Sequence, residues 1–163
     1  MRTKNFFAIM MLVALCFAGC NQSSEPVINV PSSQEEQDND YIDLGLPSGV
    51  KWKKSNEKML DSEHLNSSTL ANLPTEKEVK ELVTNCKWEW GGTGYTVTGF
   101  NGNSIWLPAE GYGDHYVGDY GDYWIQKIDG NFAYFHFEHG FTPRISTWEA
   151  VERGKMSVRF VKR

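Results

Sequence analysis

The chain has 163 residues, of which 40% are hydrophobic, and its 16 basic and 21 acidic side chains give a formal net charge of −5 at pH 7. An acidic chain without a basic stripe or run repels phosphate backbones, so nucleic acid is excluded as a partner. The sequence contains only three cysteines, which excludes a disulfide-based scaffold.

The N-terminal segment has the layout of a secretory signal. Arg2 and Lys4 precede an unbroken apolar run at 6–17, and Ala18 and Gly19 follow it. The run has twelve residues, whereas a membrane-spanning helix needs about 20. The pattern therefore predicts a cleaved signal peptide over 1–19 and no retained transmembrane helix. Its removal leaves 14 basic and 21 acidic side chains, a net charge of −7.

A cysteine, Cys20, directly follows the small residues at the end of this segment. Phe17-Ala18-Gly19-Cys20 resembles a bacterial lipobox, in which a small residue precedes an acylated cysteine. Lipidation of Cys20, by palmitate-type chains, would anchor the protein in the membrane. The expected location is the cell envelope, on the outer membrane and exposed at the surface. The alternative is an ordinary signal peptide with an incidental cysteine. With Cys16 removed and Cys20 acylated, Cys86 has no cysteine partner for a disulfide or a metal site.

Residues 20–40 differ in composition from the rest of the mature chain. They are rich in Ser, Gln, Asn, Asp and Glu and contain two prolines, Pro26 and Pro31. Such a stretch cannot bury enough apolar surface to offset the entropy of ordering. The composition predicts a disordered tether over 20–40 and one folded domain over 41–163.

One helix stands out in the domain. The segment Thr75-Glu76-Lys77-Glu78 has a capping-box pattern, which is typical of a helix start. Val79, Leu82, Val83 and Cys86 then recur at the spacing of one helical face. We predict one main helix at about 75–86, with Cys86 as a small buried residue.

The remainder of the domain has the alternation and turn signals of antiparallel strands. Asn101-Gly102-Asn103 and Asp129-Gly130-Asn131 each separate two alternating runs, which predicts two hairpins. In the second hairpin, Ala133, Phe135 and Phe137 share one face. Further strands are predicted at 41–44, 50–52 and 156–161. The expected class is α+β, dominated by antiparallel strands.

Several short segments occur in the order of a known domain family. They read DLGLPSGVKW at 43–52, LPTEKE at 73–78, NCKWEW at 85–90, GYTVTG at 94–99, NGNSIWLPAEGY at 101–112, YW at 123–124 and SVR at 157–159. Together they resemble the Fibrobacter succinogenes major paralogous domain family. The resemblance implies a C-type-lectin-like fold and a cell-surface lipoprotein. The chain departs from the family in the shorter segment at 53–72 and in Phe160, where proline is usual.

The stretch 111–124 combines aromatic rings with Gly-Asp pairs, reading GYGDHYVGDYGDYW. Aromatic faces stack on sugar rings and carboxylates accept hydrogen bonds from hydroxyls, so the stretch is a candidate glycan- or protein-binding loop. The alternative is a surface loop whose tyrosines cover the edge of the core. The candidate ligand-binding residues are Tyr112, Asp114, His115, Tyr116, Asp119, Tyr120, Asp122 and Trp124. Tyr116 and Tyr120 are expected mid-loop, before a strand that begins near Tyr123.

The sequence gives little support for a metal site or a catalytic site. The aspartates of 111–124 lack EF-hand spacing, and calcium-site tripeptides of C-type lectins are absent. On a strand, His136 and His139 point to opposite faces, and His136 with Glu138 supplies only two ligands. Nucleophile-elbow, HExxH and phosphate-loop motifs are absent. We therefore predict no metal, no cofactor and no enzymatic activity.

These observations favour a surface lipoprotein that recognises an extracellular glycan or protein without catalysis. The alternative is a structural or accessory component of a surface complex, with no free ligand. A degraded enzyme scaffold is the third interpretation.

Overall fold

A computed structural model describes residues 39–113, 115–148 and 154–163. The predictions for the signal peptide, for Cys20 and for most of the tether concern 1–38 and lie outside the described residues, as does Asp114. Within the described ranges, no helix is long and apolar enough to cross a membrane.

The described residues form two helices, one 3₁₀ turn and three small antiparallel sheets. In chain order the elements are β1 (Tyr41–Asp43), β2 (Lys51–Lys53), the 3₁₀ turn (Ser62–His64), α1 (Ser67–Asn72), α2 (Glu76–Asn85), β3 (Lys87–Trp90), β4 (Gly94–Thr98), β5 (Ser104–Pro108), β6 (Tyr120–Ile128), β7 (Asn131–Glu138), β8 (Arg144–Trp148) and β9 (Val161–Lys162). The sheets have the orders β1-β2-β9, β3-β4-β5 and β6-β7-β8. This arrangement confirms the α+β class with one main helix.

Helix α2 begins with the predicted capping box. The Thr75 hydroxyl accepts from the Glu78 amide at 3.2 Å, and the Glu78 carboxylate accepts from the Thr75 amide at 2.7 Å. Two amides without helical partners are thereby satisfied. Val79 and Leu82 are buried in the core, as the spacing predicts. The helix ends at Asn85, one residue before the predicted limit.

Cys86 follows the helix and is half-buried against the core. Burial raises the pKa of its thiol to about 11. The thiolate is the reactive form, so this side chain is unreactive near neutral pH. The interpretation of Cys86 as a packing residue is thus consistent with its surroundings.

The carboxylate of Glu78 also connects α2 to the C-terminal segment. Arg163 donates from Nε and Nη2 to the two carboxylate oxygens, each at 2.8 Å. Burial raises the pKa of Glu78, but the bonds from Arg163 and Thr75 outweigh it and hold that pKa below the ordinary value of 4.5. Glu78 is therefore charged at neutral pH and pairs with Arg163.

Both predicted hairpins form. In the hairpin of β6 and β7, Asp129 and Gly130 have φ of 50° and 82° between the paired residues Ile128 and Asn131. Positive φ at both central residues is the requirement of a type I′ turn, which Asp-Gly meets. The β4–β5 hairpin closes through a bond from the Gly99 amide to the Asn103 carbonyl at 2.9 Å.

The main core lies between α2 and one face of β6-β7-β8. On β7 the buried residues are Ala133, Phe135 and Phe137, so the predicted alternation is confirmed. Val79 and Leu82 of α2 pack into the same cluster, as do Val97 and Leu107 from β4 and β5. Helix α2 therefore closes one side of a core to which all three sheets contribute.

A second, smaller core covers part of the opposite face of β6-β7-β8. It contains Leu65, Leu73, Trp124, Met156 and Val158. The segment before α1 and the segment before β9 supply most of these side chains. As a result, the middle of β6 is buried on both faces.

The predicted strand 156–161 is wrong in its extent. Only Val161–Lys162 form strand β9, while Met156 and Ser157 make isolated bridges to Leu60 and Tyr123. The backbone bonds change partner from one residue to the next, since Met156 exchanges bonds with Leu60 and the Ser157 amide donates to Asp122. A segment that switches partner cannot form one continuous ladder.

A buried guanidinium joins distant parts of the chain. Arg159 is 1% exposed and donates to the Asn56 side chain at 2.6 Å. It also donates to the carbonyls of Lys53 and Trp106, each at 2.7 Å. Asn56 in turn donates to the Glu110 carboxylate at 2.7 Å. Because each of the three guanidinium nitrogens has an acceptor, the buried charge fixes the positions of β2 and β5.

Candidate functional site

The candidate site lies at the start of β6 and the end of β7. It is on the same face of the sheet as the second core. The strand register pairs Tyr120 with Glu138, and Asp122 with His136. His136 also pairs with Arg144 of β8. Alternation places these side chains together, on the face opposite to α2.

Five aromatic side chains form a chain of ring contacts over this face. We call Tyr112, His115, Tyr116, Tyr120 and His136 the tyrosine patch. Neighbouring ring centroids in this order are 5.8, 6.3, 5.3 and 5.2 Å apart. Such spacings are in the range of aromatic pairs that stabilise each other. The patch therefore joins the 111–119 loop to the sheet.

The loop is held by backbone bonds at both ends. The Gly111 amide donates to the Tyr120 carbonyl at 2.8 Å, and the Gly118 amide donates to the Ala109 carbonyl at 2.7 Å. Gly111 has a φ of 65°, and a Cβ there would lie 1.9 Å from the His115 carbonyl oxygen. Only glycine permits this close approach. The sequence thus enforces the local geometry of the chain at Gly111.

Tyr116 is the most exposed ring of the patch, with 59% of its surface accessible. Its φ is 62°, in the left-handed region. For a bulky residue this conformation is an outlier that costs about 1–3 kcal/mol. The left-handed conformation of Tyr116 therefore lowers stability locally. It places the ring in solvent on one side and beside Tyr120 on the other.

A histidine–aspartate pair forms the base of the patch. His136 Nδ1 lies 2.7 Å from a carboxylate oxygen of Asp122, which is 2% exposed. His136 Nε2 is buried without a hydrogen-bond partner, and the nearest Glu138 oxygen is 3.7 Å away. The Asp122 contact favours a proton on Nδ1 and fixes the ring plane. Nε2 is then a buried acceptor without a hydrogen-bond donor.

Two of the predicted ligand-binding residues lie in the interior instead. Trp124 is 2% exposed, and its indole N–H donates to the Leu60 carbonyl at 2.6 Å. Asp122 is equally buried and contacts His136. Both corrections have one cause: strand β6 begins at Tyr120, not near Tyr123, and the second core covers it.

Five other predicted residues that the structure describes lie nearer the surface. His115, Tyr116 and Asp119 are exposed, while Tyr112 and Tyr120 are half-buried. Tyr112 also packs against the second core, which agrees in part with the alternative of tyrosines covering the core edge. His136 was not among the predicted ligand-binding residues. Alternation placed it on the right face, but no sequence signal paired it with Tyr120.

The described residues include no group of three or more His, Cys, Asp or Glu side chains that could hold a metal ion. His136 and His139 have separate surroundings, since His139 stacks on Trp90 with ring centroids 5.2 Å apart. A groove of about 450 Å³ lies on the other face of β6-β7-β8, between α2 and β8. It shares no residue with the tyrosine patch.

The patch offers aromatic rings, the exposed carboxylate of Asp119 and the fixed imidazole of His136. No profile of a known protein family, no curated protein and no solved structure matches this chain.

Proposed function

We propose that the chain is a cell-envelope lipoprotein whose domain recognises an extracellular glycan through the tyrosine patch, without catalysis. The observation that carries the proposal is Tyr116, an exposed aromatic residue held in a left-handed conformation. Strained residues of this kind concentrate at binding sites, where surrounding structure holds them in place.

The chemistry of the patch supports a sugar as the ligand. Tyrosine rings present apolar faces on which the C–H face of a pyranose can stack. Asp119 is exposed within the same loop and offers a carboxylate that accepts bonds from hydroxyls. The resemblance to the major paralogous family, with its C-type-lectin-like fold, supports the same proposal.

Membrane attachment through Cys20 is the second part of the proposal. Its support is the lipobox-like end of the apolar run at 6–17. Cys20→Ser is expected to move the protein from the detergent phase to the aqueous phase in a partition assay. An unchanged distribution of the variant would contradict lipidation at this residue.

A glycan array tests recognition directly, with the full mature chain carrying Cys20→Ser for solubility. The chain with an unchanged tyrosine patch is expected to bind a defined set of glycans. The same chain with Tyr116→Gly is expected to lose this binding. Glycine suits the backbone at this position, so the variant removes the ring and relieves the strain. Phe141→Ala is the matched control, because Phe141 is a 62%-exposed aromatic residue outside the patch.

The outcomes separate the proposal from its rival. Loss of binding in Tyr116→Gly with retention in Phe141→Ala supports glycan recognition. If the wild type binds no glycan, the proposal is wrong and the accessory role in a surface complex takes its place. Equal binding by Tyr116→Gly and the wild type would place recognition elsewhere on the domain.

A further inference from the structure

The outward face of β3-β4-β5 presents an aromatic ring beside polar side chains. The register places Glu89, Thr96 and Trp106 directly side by side on three neighbouring strands. Their neighbours in each strand point inward, as the burial of Ile105 and Leu107 shows. The row therefore lies on the solvent side of the sheet.

The six-membered ring of Trp106 lies close to the backbone of two glycines, Gly91 and Gly94. A Cβ built on Gly91 or Gly94 would lie 2.9 or 2.8 Å from atoms of its six-membered ring. Any larger residue at either position would displace the indole. Trp106 nevertheless remains 38% exposed, so the ring contacts the glycines and still leaves surface accessible to solvent.

The backbone beneath this ring is fixed from the interior. The carbonyl of Trp106 accepts a bond from the buried Arg159 at 2.7 Å. Thr96 pairs with Trp106 in the ladder on one side. A ligand that stacks on this indole would therefore not have to order the strand first, which favours binding.

The side chains beside Trp106 indicate the class of ligand. Glu89 is more than half exposed and pairs with Lys87 at 2.9 Å, and Thr96 adds a hydroxyl. A partly exposed ring next to a carboxylate and a hydroxyl matches a neutral pyranose with equatorial hydroxyls, which has one apolar face and a polar rim. The Lys87–Glu89 pair has no net charge, so it gives no preference for a charged ligand.

The Trp106 row and the tyrosine patch lie on elements that contact each other. The Ala109 amide donates to the Thr93 carbonyl at 2.8 Å, and the Gly118 amide donates to the Ala109 carbonyl at 2.7 Å. Gly118 also approaches the methyl group of Thr93. The turn beside Trp106 is thus linked through Ala109 to the loop that carries Tyr116.

We propose that Trp106, Glu89 and Thr96 form a second saccharide subsite, so that the domain binds a neutral oligosaccharide chain rather than a single sugar. This inference rests on the proposed glycan recognition by the tyrosine patch. One ring of the chain stacks on Tyr116 and a later ring stacks on Trp106. Two linked contacts bind more tightly than either alone because the second contact is intramolecular.

A length series tests the proposal by isothermal titration of the mature chain carrying Cys20→Ser. The probes are β-1,4-linked glucose and xylose, from single sugars to hexamers, because their rings have equatorial hydroxyls. Wild-type affinity is expected to rise with length. Trp106→Ala is expected to weaken hexamer binding by about tenfold or more while short oligomers keep their affinity. Phe100→Ala is the matched control, since Phe100 is 77% exposed on the same hairpin.

A second variant covers the case in which Trp106→Ala fails to fold. Gly91→Ala keeps the indole but displaces it, because the new Cβ would clash with the ring. It is expected to weaken hexamer binding and to shift the NMR signal of the Trp106 indole N–H. A folded Trp106→Ala or Gly91→Ala variant with wild-type affinity at every length overturns the second subsite.

Failure of this inference differs from failure of the proposed function. If Tyr116→Gly loses binding and Trp106→Ala does not, glycan recognition stands and the second subsite is wrong. If the array identifies a glycan but no oligomer of the series binds, the assigned sugar class is wrong. A wild-type domain that binds an extracellular protein and no sugar overturns both proposals.

Discussion

Two tryptophans show how differently the sheets of this domain use their outward faces. Trp124 lies on β6 and is almost inaccessible, while Trp106 lies on β5 and keeps more than a third of its surface in solvent. In each strand the tryptophan lies on the face that points away from the main core, because its two neighbours point into that core. The difference comes from what lies above each ring: Leu60, Leu65 and Met156 pack in the cluster over Trp124, whereas two glycines support Trp106.

This contrast shows that the alternation of a strand does not decide whether its outer face meets water. Alternation separates two faces, and distant segments then cover one of them or leave it open. The same aromatic residue is a core residue in one sheet and a surface residue in the other. The predictions below measure how large this difference is.

Removing the covered tryptophan is expected to have the largest effect. Trp124→Ala should lower the free energy of unfolding by about 3–5 kcal/mol, because it leaves a cavity in the second core. It also leaves the Leu60 carbonyl without its indole donor. Urea denaturation of the wild type and the variant measures the loss. A loss well below this range would mean that the second core contributes little to stability.

The second-largest effect is expected at Asp122. This residue lies on the outer face of β6, between the part that the second core covers and the tyrosine patch. Asp122→Ala should lower the free energy of unfolding by about 1–3 kcal/mol, because the half-buried His136 loses its hydrogen-bond partner. Asp119→Ala, at an exposed position of the preceding loop, should stay within about 0.5 kcal/mol. A double-mutant cycle with His136→Ala isolates the pair. Additive losses would show that the contact is not energetically coupled.

The open tryptophan should matter less for stability. Trp106→Ala is expected to lower the free energy of unfolding by about 1 kcal/mol, since the part of the ring that faces solvent loses no burial. Thermal unfolding of Trp106→Ala and Trp124→Ala under the same conditions compares the two losses of stability. Equal losses in the two variants would contradict the distinction between a covered and an open face.

The smallest effect is expected at the exposed tyrosine. Tyr116→Gly should be more stable than Tyr116→Ala by about 1 kcal/mol, because alanine keeps the left-handed strain and glycine does not. Urea midpoints of the two variants measure the difference. An alanine variant at least as stable as the glycine variant would show that Tyr116 does not hold a left-handed conformation in solution.

The sequence predicted the parts of the fold that depend on neighbouring residues. The capping box at Thr75, the Asp129-Gly130 turn and the alternation of β7 each involve residues within a few positions. The α+β class followed from them. Helix α1 was not predicted, because it has only six residues and none of them is fully buried; Leu70 packs only partly buried against the second core.

The rest depends on contacts between distant segments. Trp124 was misplaced because the cover of β6 comes from Leu60 and Met156, which no local pattern connects to it. The candidate site was predicted only in part for the same reason. Tyr116 and its loop carry a local signal of glycines and aromatic residues, whereas the contact of Tyr120 with His136 depends on the pairing of β6 with β7.

The pairing of β9 with β2 has a consequence for how the chain folds. Val161 and Lys162 bond to Trp52 and Lys51, and Arg159 reaches the Lys53 carbonyl across 106 residues. Contacts of such long sequence separation form slowly, because a large loop must close before they contribute. During synthesis, β2 therefore has no partner on this edge until Val161 and Lys162 emerge. The domain is expected to remain incompletely folded up to that moment.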